Sequence, residues 1–115
     1  MTPNSDSNAL SQAADCVLAM EQAMRGGGLW HAETPPPAAM ASRTPFCADT
    51  LEFTQWLQFI FVPRMRDLIE AGGPLPGASG IAVMAEAKLD QGSTAEQRVT
   101  EVLAAFDRLV ERQTG

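Results

Sequence analysis

The stretch DTLEFTQWLQFIFVPRMRDLIEA, residues 49–71, decides the fold of this 115-residue chain. At about 100° per residue, Phe53, Trp56, Leu57, Ile60 and Phe61 fall on one helix face. Asp49 and Glu52, three apart, fit a variant capping box with carboxylates near the positive helix end. Pro63 then interrupts the pattern. It lacks the N–H that would bond the Phe59 carbonyl, and its ring crowds that carbonyl. Beyond it the apolar set is Met65, Leu68 and Ile69, rotated by roughly a quarter turn or more from the first. A kink at Pro63, or two short helices meeting at Val62 and Pro63, explains the shift equally well. Gly72 and Gly73 end the segment, and Pro74, Leu75, Pro76 and Gly77 predict a rigid turn.

Upstream, residues 1–6 are polar and expected to fray. From about Ser7 to Arg25, Leu10, Ala14, Val17, Leu18 and Met24 recur at helical spacing, and Gly26, Gly27 and Gly28 stop the run. Residues 31–45 hold Pro35, Pro36, Pro37 and Pro45, which forbid a regular helix. The reading there is a long extended connection anchored by Trp30 and Phe46. Downstream, Ile81, Met84, Ala85 and Lys88 predict a short helix closed by Asp90, Gln91 and Gly92. Ser93 with Glu96, or Thr94 with Gln97, caps a final helix running to about Arg112. Its core stripe is Val99, Val102, Leu103, Phe106, Leu109 and Val110. No stretch alternates with period two. The prediction is one all-α domain over residues 1–115: a compact four-helix bundle, its central helix kinked or split at Pro63, with a long proline-rich loop after the first helix.

An apolar fraction of 45% in a chain this short is enough for one modest core. The net charge of -6 argues against direct RNA contact and is compatible with a basic protein partner. The first residues lack the basic and apolar parts of a secretory signal. The longest strongly apolar run, Phe59 to Val62, is far short of the ~20 residues of a membrane span. Cys16 and Cys47 are expected to be free thiols in a reducing cytoplasm.

The search for chemistry finds no catalytic constellation. His31 is the one histidine, and no motif joins it to Cys16 or Cys47, so it reads as a surface or loop-packing residue. Two cysteines and one histidine at 16, 31 and 47 lack the spacing of a zinc site. The glycine run follows a helix rather than a strand and reads as a helix stop, not a phosphate loop. No metal, no cofactor and no enzymatic activity is expected. Arg64 follows Pro63 and points near a face that was apolar one turn earlier. Such a charge has two uses: an ion pair to Glu33 or Asp67 that pins the 31–45 loop, or a phosphate or carboxylate contact on a partner. Phe59 lies off its helix's main stripe, as core beyond the kink or as part of an exposed patch.

The pieces Thr44-Pro45-Phe46, Trp56-Leu57-Gln58 and Pro63-Arg64-Met65, in this order and followed by Leu75-Pro76-Gly77, resemble the YqcC-like family of small bacterial proteins. Trp30 also fits, as the aromatic closing the first helix, and the resemblance spans most of residues 9–110. It implies a compact helical protein with no assigned enzymatic activity. Members are typically encoded beside tRNA pseudouridine synthase C, and some are fused to it or described with it, which implies an accessory or partner role in tRNA modification. The candidate partner-binding residues are Trp30, Phe46, Asp49, Trp56, Gln58, Phe59, Arg64 and Arg66, with Pro63, Leu75 and Pro76 shared by the motif. One expectation is thus a non-catalytic adaptor for a pseudouridine synthase. The alternative is a small-ligand-binding or self-associating module, homodimer included. Its pocket would lie under the long loop, lined by Trp30, Phe46, Phe53 and Trp56.

Overall fold

A computed structural model describes residues 5–72 and 80–114, with side chains over 9–72 and 80–111. The described residues form five helices and no strand. α1 is Ser5–Gly26, α2 is the single turn Pro37–Met40, and α3 covers residues 53–71. α4 is Ile81–Lys88 and α5 is Thr94–Thr114. Ser5 and Asp6 belong to α1, so the helix starts earlier than the polar composition predicts. Residues 1–4 and the turn through Leu75 and Pro76 lie outside the described residues. Among the described residues no helix is long and apolar enough to cross a membrane.

α1 packs mainly on α5 and, toward its middle, on α3. The buried side of α1 is Ala9, Ala13, Val17, Met20 and Met24, whereas Leu18 is 54% exposed. The expected stripe through Leu10, Ala14 and Leu18 is therefore corrected by one helical position. Alanines on the inner face let the backbones approach, and Leu18 stands about 100° round from Val17. The stripe expected for α5 is buried throughout, from Val99 to Val110, and the Phe106 ring meets Phe61 edge-on at 5.3 Å.

α1 ends as the glycine run predicts. Gly28 takes φ 74°, Leu29 N–H bonds the Met24 carbonyl at 2.8 Å and Gly28 N–H bonds the Arg25 carbonyl at 3.4 Å. That pair is a Schellman ending. Between α1 and α3 the prolines do not keep the chain extended. Pro37 sits in the first turn of α2, where its missing N–H costs nothing. A second tight turn covers Pro45–Cys47.

α3 runs through Pro63 unbroken. Trp56, Leu57, Phe61 and Val62 all keep right-handed helical angles. The irregularity is a π turn at Leu57–Phe61, in which Val62 N–H bonds the Leu57 carbonyl five residues back. The chain is therefore not split into two helices at Val62 and Pro63, and the irregularity lies just before the proline. In an ordinary α-helix Phe53 and Met65 would lie about 120° apart around the axis. The wide turn absorbs one residue's rotation, about 100°, so Phe53, Leu57, Phe61 and Met65 all reach one core. The rotated apolar set in the sequence is the trace of that turn.

The helix starts are locally determined. Glu52, not Asp49, is the N-cap of α3, and Gln55 Oε1 accepts from the Glu52 N–H at 2.9 Å. Asp49 is too early, because Leu51 and Glu52 still intervene in extended or bent backbone. Ser93 rather than Thr94 caps α5, with its hydroxyl 3.5 Å from the Glu96 N–H. α4 is capped from outside: Asp107 Oδ2 on α5 accepts from Ala82 N–H at 2.9 Å.

Candidate functional site

A cleft of about 450 Å³ opens between the end of α1, the start of α3 and α4. Leu29, Leu51, Phe53 and Leu89 give it apolar walls, with Phe46 and Met84 half-buried in it. His31, Thr54, Glu52, Lys88 and Glu96 bring polar groups to it. Its volume is within the roughly 300–1,000 Å³ of ligand-binding clefts.

Gln58 holds one wall in place. Its side chain is 7% exposed and makes two bonds to a single backbone unit. Oε1 accepts from His31 N–H at 2.7 Å, and Nε2 donates to the His31 carbonyl at 2.9 Å. The His31 ring is fixed in turn, with Nε2 2.8 Å from Thr54 Oγ1. Gln58 therefore latches the chain after α1 onto the π turn. This is the job that an Arg64 ion pair was expected to do. Arg64 is instead exposed and forms no ion pair with Glu33, Asp67 or any other acid among the described residues. It meets water because the π turn leaves Val62 and Met65, not Arg64, on the inner face.

The opposite wall rests on an unusual backbone. Phe46 and Cys47 take φ 59° and 50°, a left-handed region that costs L residues about 1–3 kcal/mol each. Phe46 is held there by rings, 4.9 Å from Trp56 and 6.2 Å from Phe53, both edge-on. Thr50 Oγ1 ties the following turn to α2 by donating to the Ala39 carbonyl at 2.6 Å. Asp49 accepts from Ser42 Oγ at 2.6 Å, and that bond first of all holds its carboxyl below the ordinary range. A lowered carboxyl stabilises the fold above the ordinary carboxylate range, and the contribution is lost as pH falls through the lowered value. Ser42→Ala is expected to move the Asp49 midpoint upward, followed by carboxyl NMR shifts against pH. An unmoved midpoint would remove Ser42 as the cause.

The structure scatters the remaining predicted residues. Trp30 lies half-buried under the Arg25 guanidinium, 4.3 Å from it, and does not line the cleft. Trp56 stacks on Phe53 at 6.0 Å and also stays outside the cleft lining. Phe59 is half-buried, with its ring 6.5 Å from the His31 ring. Arg66 pairs with Glu21 on α1, and Glu21 also holds Arg25 at 3.1 Å. The expected four-ring pocket is therefore corrected: Phe46, Phe53 and Trp56 pack on one another, Trp30 packs under Arg25, and only Phe46 and Phe53 reach the cleft. Sequence reading missed Met84 and Lys88 on α4, Thr54 on α3 and Glu96 on α5, which three helices bring together. No local pattern marks them.

Neither cysteine lines the cleft. Cys47 is buried beside the Met40 and Ser42 carbonyls, 3.8 Å from each. Cys16 is half-buried, and burial, aided by the Asp15 charge, pushes its thiol up, away from a reactive thiolate. Among the described residues no group of His, Cys, Asp and Glu could hold a metal.

The DUF446 family model, described as tRNA pseudouridine synthase C, matches residues 12–109. The chain is 35% identical to the uncharacterized protein YqcC of Escherichia coli K12, over 81% of this chain and 83% of that one. It is 33% identical to a tRNA pseudouridine synthase C of Pectobacterium carotovorum over 57% of this chain, but only 18% of that longer protein. The solution NMR structure of Escherichia coli YqcC superposes with a TM-score of 0.79 at 29% identity, covering 93% of this chain and 92% of that one.

Proposed function

We propose, from the premise that this chain belongs to the YqcC-like (DUF446) family, that it is a non-catalytic accessory protein of tRNA pseudouridine synthase C. One observation carries the reading. In the Pectobacterium carotovorum protein of that name, a region like this chain makes up under a fifth of a longer polypeptide. A region joined to an enzyme works at high effective concentration beside it, and a separate chain must bind to do the same. The chain's acidity supports a basic protein partner rather than direct contact with tRNA phosphates. On this reading the four longer helices form a bundle-like scaffold in the cytoplasm that presents its surface to the synthase.

The test is pseudouridine formation on unmodified tRNA by a purified synthase of this class, one that carries no region like this chain. The chain alone is expected to form none. Added to the synthase, it is expected to raise the initial rate and to bind the enzyme by light scattering, with binding that weakens as salt rises. A synthase whose rate and mass are both unchanged by the chain would sink the reading.

A further inference from the structure

The cleft has features that the fold does not need. Its walls join four separate segments, Phe46 and Met84 stay only half-buried, and a left-handed backbone holds Phe46 at its rim. We infer that this cleft seats the partner's anchor: a short segment of the synthase that places one or two uncharged apolar side chains against Leu29, Phe46, Phe53 and Met84. The inference rests on the accessory reading above and adds where and how contact is made.

Charge selects the occupant. Glu52 and Glu96 stand at the amino ends of α3 and α5, where each helix end carries about half a positive charge. Each carboxylate is partly engaged already: Glu52 by the cap of α3, Glu96 by the Asp90 N–H at 3.0 Å. With Lys88, which forms no ion pair among the described residues, the cleft comes close to neutral. It is a hollow close to neutral, with apolar walls broken by polar groups, on a chain of net charge -6. A phosphate would meet two carboxylates and one ammonium there, and a strongly basic segment would gain little. An apolar side chain buries the exposed parts of Phe46 and Met84 without stranding a charge. On that wall His31 Nε2 and the Thr54 hydroxyl are already engaged with each other.

This divides the work of binding. The net charge governs encounter, and the apolar anchor governs residence. Two variants test it on the intact chain. Met84→Glu charges the cleft, and Ala48→Trp fills it from an exposed position on its lining. Each is expected to speed dissociation from the purified synthase by about tenfold or more while association stays within about threefold. Circular dichroism confirms folding in each case. Leu18→Ser, outside the cleft, serves as the control and should leave both rates unchanged. Amide NMR shifts on adding synthase should be largest at Leu29, His31, Thr54 and Lys88. Unchanged dissociation in both cleft variants, shifts centred on Leu18 and Ile69, or tRNA alone shifting the cleft amides would each overturn the inference. The first two outcomes leave the accessory reading standing. Failure of the wild-type chain to bind synthase at all would overturn both.

Discussion

Gln58→Leu is expected to destabilise the protein by about 2–4 kcal/mol. Among the described residues, only the Gln58 side chain holds both backbone groups of His31, at 2.7 and 2.9 Å. A buried group stripped of its partner costs about 1–3 kcal/mol, and leucine strips two. Partial exposure of His31 keeps the sum at the lower end, because water reaches part of the gap. Glu at the same position should cost at least as much at neutral pH, because a buried carboxylate oxygen then faces the His31 carbonyl. It should cost less in acid, where the protonated group both accepts from the His31 N–H and donates to its carbonyl. Urea unfolding of wild type, Gln58→Leu and Gln58→Glu measures this. A loss under about 0.5 kcal/mol for leucine would show that the latch contributes nothing net.

Gly27→Ala is expected to cost about 1–3 kcal/mol, although alanine favours helices over glycine by roughly 0.5–1 kcal/mol. The added Cβ would sit 2.1 Å from the Ala95 Cβ and 3.1 Å from the Ala23 carbonyl oxygen. Both obstacles are backbone or the first side-chain atom, so neither can rotate away. The end of α1 would have to part from the start of α5. Ala95→Gly removes the nearer obstacle, so the double variant should recover part of the loss, as a double-mutant cycle reads directly. Thermal unfolding should show a drop of several degrees for the single variant. A neutral or raised midpoint would mean that the two helices separate there at no cost.

What the sequence made legible follows distance along the chain. The helix stops at Gly28 and Gly72 and the Ser93 cap depend on a few adjacent residues, and all three stand where local chemistry puts them. On α1, Val17 and Met24 are buried as their spacing predicts, whereas Ala9 and Ala13 carry little hydrophobic signal although small residues are what a close helix contact selects. Asp49 was mistaken for a cap because its carboxylate suits the role, while Glu52, nearer the helix, fills it. The cleft was not legible. Residues 28–31, 46–54, 84–89 and 96 meet only after the helices pack. Gln58 was picked out by its motif as a partner contact, but its amide is spent inside the molecule.

The π turn bears on chain length as well as on shape. A helix that accommodates one extra residue between Trp56 and Val62 can also lose one there. A chain shorter by one residue in that interval would close to an ordinary α-helix with the sides of Phe53 and Met65 still aligned. The same deletion beyond Val62 would swing the rest of the helix by about 100° and turn its apolar residues to water. Pro63 guards the longer form, since an ordinary turn would press its ring onto the carbonyl one turn back. A one-residue deletion in α3 is therefore expected to be tolerated only in that short interval, and there only when Pro63 is replaced as well.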